Sequence, residues 1–266
     1  MHVGTTLRSL YSNKFLIRNF VLKELKNKYA GSFLGFLWSL VHPLTIMGVY
    51  SVVFSWMLKT RLGEEVGTSN FPVWLYAGLL PWTLFAESLS RATSSVLDHA
   101  NLIKKTIFPS EILPVALLLA NCVNFLIGLT ILLCFNLIVG GSFTWGVFLI
   151  GVYFIPLFLL TLGMSWIVSC LNVYFRDMGQ LVGVFVNIWF YATTIIYPLS
   201  VVPQRLHPYF QLNPLVQVVE GFRSALFKGQ LISDNKLIYL YASSFVLFIV
   251  GQFLFQKTKK GFVDVI

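Results

Sequence analysis

Residues 23–43 read KELKNKYAGSFLGFLWSLVHP, and this stretch decides the fold. It begins with basic residues, passes through the small residues Gly31, Ser32 and Gly35, and continues into a long apolar run that contains Pro43. A basic segment followed directly by an apolar one is typical of a chain that lies along a membrane surface and then enters the bilayer.

The composition of the whole chain favours an integral membrane protein. Of the 266 residues, 57% are hydrophobic and 11% are charged, whereas soluble domains carry about 25% charged residues. Six stretches lack Asp, Glu, Lys and Arg and reach the roughly 20 residues that a spanning helix needs. They are 29–58, 66–86, 112–139, 143–175, 178–204 and 237–256. Because these runs are continuous rather than alternating, helices are favoured over a membrane β-barrel.

The sequence therefore predicts an all-α integral membrane protein with six transmembrane helices. Their predicted bounds are 35–58, 70–90, 112–139, 145–173, 179–199 and 237–256. Placing both termini in the cytoplasm puts most Lys and Arg residues on the cytoplasmic side, as the positive-inside rule requires. The net charge of +9 then reflects membrane orientation, and nucleic-acid binding is a weaker alternative.

A further helix is predicted over residues 14–30, before the first span. Polar residues such as Asn19 and Lys23 share one face and apolar residues such as Phe20 and Leu25 share the other. This pattern favours an amphipathic helix at the cytoplasmic membrane interface, with its lysines near anionic head groups or lipid phosphates. The alternative is a solvated basic leader that only fixes the topology.

Residues 96–111 read VLDHANLIKKTIFPSE and separate the second and third spans. The segment is polar at its ends, basic in its middle and closed by Pro109. It predicts a short cytoplasmic helix at 97–109 that lies crosswise between two spans, where a soluble protein could hold it as a lever. An ordinary connecting loop is the alternative.

Two short external helices are predicted within residues 203–227, between the fifth and sixth spans. Apolar residues recur at helical spacing on both sides of Asn213 and Pro214, which form a favourable N-cap and first helical residue. Such helices can dip into the outer leaflet and return, because re-entrant backbone is tolerated where protein buries it. A plain external loop is the alternative.

Two ionisable residues in the first two spans have open roles. His42 could contact a substrate or respond to pH, or it could be a polar residue that its neighbours satisfy. Glu87 is a functional candidate because acids in spans are rare. It could equally snorkel to the surface or pair with Arg91.

The motifs of common catalytic sites do not occur in the sequence. There is no G-x-x-x-x-G-K-[ST] phosphate loop, no H-E-x-x-H, no G-x-S-x-G and no Cys or His set with metal-ligand spacing. We therefore predict no catalytic residue, no metal site and no cofactor in this chain. Few ionisable residues lie deep in the spans, so active transport would need an energy-supplying partner. A glycan-modifying membrane enzyme, which would need a catalytic group at a cavity, is the rival class.

Six motifs, in order along the chain, resemble the membrane subunit of ABC-2 type polysaccharide exporters. They are KYAGSFLGFLWSLVHPL, AGLLPWTLF, NLIKKTIFPSEILP, NVYFRDM, YPLSVVP and NPLVQVVEGFRS. The resemblance covers residues 15–260 and is nearest to the O-antigen export permeases, with capsule and teichoic-acid permeases as near relatives. Exporters of small hydrophobic drugs resemble the chain at the level of fold and are a weaker alternative.

The resemblance implies a multi-pass permease subunit in the bacterial inner membrane, with both termini in the cytoplasm. Two copies would form the path as a homodimer, and two copies of a separate ATPase would bind ATP and Mg beneath them. The implied substrate is a glycan carried on polyprenyl diphosphate or another lipid. Residues 14–30 resemble the family's interface helix, 97–109 its coupling helix, which docks on the ATPase, and 203–227 its periplasmic re-entrant helices.

The candidate site residues form three groups. Those expected near the lipid phosphate, whose oxygens suit cationic donors, are Lys26, Lys28 and Tyr29. Those expected in the ATPase-docking coupling helix are Lys104, Lys105 and Phe108. The mid-span aromatic residues expected to offer stacking surface to a moving glycan are Tyr50, Phe54, Phe185 and Trp189. The alternative for these rings is contact with lipid or with neighbouring side chains.

Overall fold

The computed structural model describes residues 3–57, 68, 70–105, 108–140 and 145–266. The side chains of Tyr29 and Phe54, and residues 58, 106 and 107 of the predicted helices, lie outside the described part. Throughout the described residues the regular structure is helical, without a strand. This confirms the predicted all-α class.

The helices follow one another closely along the chain. In the described part they are α1 (Val3–Ser12), α2 (Lys14–Tyr29), α3 (Trp38–Tyr50), α4 (Phe71–Asp98), α5 (Ala100–Lys105), α6 (Ile112–Ile138), α7 (Ile150–Tyr174), α8 (Met178–Tyr191), α9 (His207–Gln211), α10 (Pro214–Arg223), α11 (Asp234–Thr258) and α12 (Phe262–Val265). Wider π-helical turns, Ser51–Met57 and Ser224–Lys228, continue α3 and α10.

Three helical stretches of the described part are long and apolar enough to cross a membrane. They are Ile112–Ile138, Trp145–Tyr174 and Asp234–Val265. Two shorter apolar helices, Trp38–Val53 and Met178–Tyr191, accompany them. These lengths and compositions agree with the predicted membrane class.

The helix α4 lies at the centre of the bundle. Every residue from 71 to 82 is buried, and α4 packs against α6, α7, α8 and α10. The helix α4 is less apolar than long helices such as α6. It is nevertheless buried, because neighbouring helices cover it.

The helices α7 and α11 pack side by side through glycine. A Cβ atom on Gly163 would clash with the carbonyl oxygen of Leu247, and one on Gly251 would clash with the carbonyl oxygen of Gly163. Small residues at a crossing let two helix backbones approach closely, as they do in membrane helix pairs. This contact fixes α11 against the core of the bundle.

The helix α8 is shorter than the predicted fifth span. The apolar pattern predicts a helix over 179–199, whereas α8 ends at Tyr191 and turns follow it. Carbonyls beyond the helix end accept hydrogen bonds from the side chains of Asn213 and Arg223, at 2.6–3.1 Å. These side chains replace amides that a continuing helix would have supplied.

The bundle has two ends, each named by the segments that it holds. The basic end, where α4 ends, α5 follows and α6 begins, holds Lys104, Lys105 and Lys259. The opposite end holds the start of α4 together with α10, which packs against it.

Candidate functional site

Two ion pairs attach the helix α2 to α4 near the basic end. Lys28 Nζ lies 2.5 Å from Glu87 Oε1, and Arg91 donates a hydrogen bond to Glu24 Oε2. On each helix the two charged residues are four positions apart, so they lie on one face. The two faces meet with the helices antiparallel. We call these four residues the α2–α4 ladder.

The two rungs of the α2–α4 ladder differ in exposure. Only 8% of Glu24 is exposed, whereas the side chains of Lys28 and Glu87 are 24% and 37% exposed. Water screens the Lys28–Glu87 pair more strongly, so it is the weaker rung.

The ladder changes the setting of two predicted residues. Lys28 is ion-paired, and Glu87 pairs with it rather than with Arg91, the partner that the sequence suggested. Lys26 is exposed on the outer side of α2. Sequence reasoning misses Glu24, although the four-residue spacing of acid and base on both helices is a signal for such a ladder.

A cavity of about 440 Å³ lies beside the ladder, between α3, α4 and α6. Its polar lining residues include Lys28, His42, Thr83, Glu87 and Asn121, and much of the remaining wall is apolar or aromatic. Ligand sites in proteins are typically concave, largely apolar and equipped with a few polar groups. This cavity, which His42 also faces, is therefore the candidate ligand site of the described bundle.

Asn121 is a buried polar residue of the cavity wall, with 2% of its surface exposed. Its Nδ2 donates to Ser88 Oγ at 3.0 Å, whereas no described residue bonds to its Oδ1. An unpaired buried acceptor costs roughly 1–3 kcal/mol unless water or a ligand donates to it. Asn121 thus places a buried acceptor without a described partner in the wall of the cavity.

The helix α5 occupies six residues of the segment predicted as a crosswise helix over 97–109. Lys104 and Lys105 are exposed. Phe108 is half-buried, and its ring centroid lies 5.6 Å from that of Phe20 on α2. The segment therefore presents basic side chains outward and packs an aromatic ring against the bundle.

A second polar cluster, the Glu111 node, joins distant parts of the chain at the basic end. Glu111 Oε1 accepts from Ser9 Oγ at 3.0 Å, and Oε2 lies 3.1 Å from Lys259 Nζ. The backbone carbonyl of Glu111 accepts from Trp166 Nε1 at 3.1 Å. Because only 3% of Glu111 is exposed, these contacts hold α1, α7 and the end of α11 to the start of α6. Sequence reasoning misses this residue, since an acid beside a span does not reveal its partners.

The predicted aromatic residues lie on α3, on the π-helical turn that continues it, and on α8. The ring centroid of Trp189 lies 4.7 Å from that of Phe185 and 5.1 Å from that of Phe85 on α4, both edge to face. Phe185 is 44% exposed, while Trp189 and Tyr50 are half-buried and packed against the core. The structure brings Phe185 and Trp189 together, with Phe185 the more exposed ring.

A third polar cluster, the Arg223 cluster, lies at the opposite end. Arg223 is 4% exposed and donates to the carbonyls of Trp74, Thr194 and Ile195 at 3.2, 2.6 and 2.6 Å. Its guanidinium lies 3.4 Å from the ring centroid of Trp74 and 3.7 Å from Glu220 Oε1. Hydrogen bonds and an aromatic face compensate the burial of this cation. Sequence reasoning misses it too, because its acceptors are backbone atoms.

The fold and these clusters together define a class of protein. Long apolar helices, a charged helix that is ion-paired to the bundle and an internal cavity beside it belong to a helical protein embedded in a membrane.

The family follows from a direct comparison. Residues 16–227 match the ABC-2 type transporter family. This match spans most of the chain, and the chain belongs to that family. Membership in a family of ABC transporters implies a membrane location and an ATPase partner.

Similar proteins cover nearly the whole chain. The O-antigen export system permease protein RfbA of Myxococcus xanthus is 31% identical over 260 residues, which span 97% of this chain and 98% of that protein. A protein of the same name from Klebsiella pneumoniae is 30% identical over 92% of each chain. The polysialic acid transport protein KpsM of Escherichia coli is 21% identical over 93% of this chain and 95% of that protein.

Proposed function

We propose that this chain is the permease subunit of an ABC transporter that exports a lipid-linked polysaccharide, O-antigen in particular, across the bacterial inner membrane. The observation that carries the proposal is the similarity to an O-antigen export permease over 97% of the chain. In this proposal the chain moves its substrate without chemistry of its own. ATP and Mg bind to a separate ATPase subunit.

A second candidate substrate is a capsular polysaccharide such as polysialic acid. The similarity to a polysialic acid transport protein over 93% of the chain favours it. The lower identity, 21% against 31%, ranks it behind O-antigen.

Six membrane crossings with both termini in the cytoplasm form part of the proposal. The apolar helices α3, α6, α7, α8 and α11, together with the central helix α4, would make the crossings. The basic end would then face the cytoplasm, as the positive-inside rule favours. On α2, the exposed apolar residues Phe15 and Leu22 lie among exposed lysines, which suits a helix within the head-group layer. The helices α9 and α10 would be the re-entrant helices of the outer side.

The helix α5 is the proposed docking element for the ATPase. Its exposed Lys104 and Lys105 are available to a partner, and Phe108 transmits movement inward through its contact with Phe20 on α2. The ladder then joins α2 to α4. We propose an assembly of two permease copies and two ATPase copies.

Lys26, Lys28 and Tyr29 are the proposed contacts of the lipid phosphate. Lys26 is exposed and can bind phosphate directly. Lys28 would have to share its ammonium group between Glu87 and the phosphate, since it already forms the weaker rung. An arriving phosphate could therefore loosen α2 from α4.

The aromatic residues Tyr50, Phe54, Phe185 and Trp189 are the proposed stacking surface for the glycan. Partial exposure of Phe185 and its contact with Trp189 support this role on α8. Uncharged rings can support a sugar without binding it tightly, which suits a substrate that must move on.

Deletion of the gene tests the proposal. Cells that lack this permease should accumulate lipid-linked polymer on the cytoplasmic side and lose it from the surface, and the intact gene should restore export. Normal display of every surface polysaccharide in the deletion strain would overturn the proposal. Loss of capsule with intact O-antigen would select the second candidate.

A further inference from the structure

The cavity between α3, α4 and α6 has a polar and an apolar end. Lys28, Glu87 and Asn121 lie toward the basic end, and Tyr76, Leu80, Phe125 and Gly128 line the deeper part. The approach of α4 to α6 is tight at the deep end, because a Cβ atom on Gly128 would lie 2.6 Å from Leu80 Cδ1. The cavity is thus polar at its mouth and narrows among apolar groups.

The length of the cavity matches one leaflet of a bilayer. Tyr76 and Glu87 both line it, and eleven residues of α-helix span about 16 Å at about 1.5 Å per residue. The hydrocarbon core of a bilayer is about 30 Å thick, so one leaflet contributes about 15 Å. Exposed residues of the wall, among them His42 and Thr83, show that the cavity opens to its surroundings.

The mouth of the cavity carries one positive and one negative group. Lys28 Nζ and Glu87 Oε1 lie 2.5 Å apart, and Glu87 is the more exposed of the two. Asn121 lies at the same level, since it is bonded to Ser88, the residue after Glu87. Its Oδ1 is buried and has no partner among the described residues, so a rotation of the amide would bring an additional acceptor to the cavity. A head group that holds both a phosphate and a hydrogen-bond-donating cation would match these groups.

We propose that this cavity holds one chain of a zwitterionic bilayer phospholipid of the phosphatidylethanolamine type. The lipid phosphate accepts from Lys28, and its ammonium group donates to Glu87 and Asn121 Oδ1. One acyl chain follows the apolar shaft between α3 and α4. The bound lipid supports α3 at a place where protein side chains leave a gap, and this role is separate from export.

The charges at the mouth argue for this occupant over two others. An anionic phospholipid would bring a second negative group beside the Glu87 carboxylate without a cation to balance it. The diphosphate of a polyprenyl-linked glycan would do so with more charge, so we expect it to meet Lys28 only briefly during export, when Lys28 leaves Glu87, whereas the phospholipid occupies the cavity at rest. A zwitterionic head group instead replaces the Lys28–Glu87 pair by two ion pairs, one between Lys28 and the phosphate and one between Glu87 and the ammonium group.

Lipid binding to the purified permease with its partner ATPase tests the proposal. The delipidated complex is incubated with phosphatidylethanolamine, phosphatidylglycerol or a polyprenyl phosphate, and bound lipid is measured by native mass spectrometry. Phosphatidylethanolamine should bind about fivefold more tightly than phosphatidylglycerol, the scale set by one partly exposed charge pair. Equal binding of both phospholipids, or tighter binding of the polyprenyl phosphate, would overturn the proposal.

Two variants locate the bound lipid. Thr83→Phe fills the cavity and should abolish retention of phosphatidylethanolamine, whereas Thr130→Phe, at an exposed position of α6 away from the cavity, should retain it. Each threonine hydroxyl donates only within its own helix, to Leu80 and Leu126 respectively, so the two substitutions are matched. Equal retention by both variants would place the lipid elsewhere.

A third variant keeps the shape of the cavity and changes its charge. Glu87→Gln should reverse the preference, so that phosphatidylglycerol binds at least as well as phosphatidylethanolamine. An unchanged preference would show that Glu87 does not face the head group. Because binding is measured without transport, these outcomes are independent of whether the substrate is O-antigen.

Discussion

The Arg223 cluster and the α2–α4 ladder both hold charge inside the bundle, but they bond it to different partners. Arg223 donates to three backbone carbonyls, which can leave only if the chain around them moves. Each ladder residue bonds to another side chain, which can rotate to a new partner. The contacts of Arg223 are therefore the harder to exchange, and those of the α2–α4 ladder are the easier.

Removal of Arg223 should have the largest effect on stability. Arg223→Met leaves three buried carbonyls without their donor, and we expect a loss of about 3–5 kcal/mol in the free energy of unfolding. Thermal unfolding in detergent measures the change. Arg205→Met, at an exposed position, is the control and should unfold like the parent protein. The same unfolding temperature for Arg223→Met and Arg205→Met would show that the backbone contacts of Arg223 do not stabilise the opposite end.

Loss of the charge at the Glu111 node should have the next largest effect on stability. Glu111→Gln keeps an acceptor for Ser9 but removes the charge that pairs with Lys259, and we expect a loss of about 1–3 kcal/mol. Limited proteolysis should show earlier cleavage near α1 and the end of α11, because the node holds both regions. Asp177→Asn, at an exposed position of a turn, is the control. Unaltered cleavage would mean that apolar packing alone holds these segments.

The ladder itself should give smaller and unequal effects. A double-mutant cycle with Glu24→Gln and Arg91→Gln should give a coupling free energy of about 1 kcal/mol, since Glu24 is buried. The same cycle on Lys28 and Glu87 should give less, and high salt should abolish it. A larger coupling free energy for Lys28–Glu87 than for Glu24–Arg91 would contradict the view that the more exposed pair is the easier one to exchange.

The exposed lysines of α5 should contribute least to stability and most to the coupling of ATP hydrolysis to export. Lys104→Glu combined with Lys105→Glu should leave the unfolding temperature unchanged, because both side chains are exposed. It should separate ATP hydrolysis from export in the assembled transporter. The control is Lys14→Glu with Lys257→Glu, two exposed lysines at the start of α2 and the end of α11. Normal export by the α5 variant would remove α5 from the coupling path.

The sequence predicts the class of the molecule because that class depends on local composition. Long runs without charge predict helices within lipid, and the described chain is helical throughout its regular structure. The order of motifs likewise led to a family, and the match over residues 16–227 confirms it.

The polar clusters escape sequence reasoning because their partners are remote along the chain. Arg223 and Trp74 are 149 positions apart, and Glu24 and Arg91 are 67 apart. The end of α8 escapes for the same reason, since the apolar pattern continues past Tyr191 while distant side chains take over the carbonyls. Local patterns thus predict which segments are helical, and tertiary contacts decide where they stop and what their charges do.

The Glu111 node also has a consequence for the order in which the protein is assembled during synthesis. The ribosome makes Ser9 102 residues before Glu111 and Lys259 148 residues after it. At about 5–20 residues per second, the carboxylate waits about 7–30 s for its ammonium partner. Until then the first helices can insert while their shared end stays open to water and to the translocation machinery. The arrival of Lys259 would then pair the carboxylate and close that end.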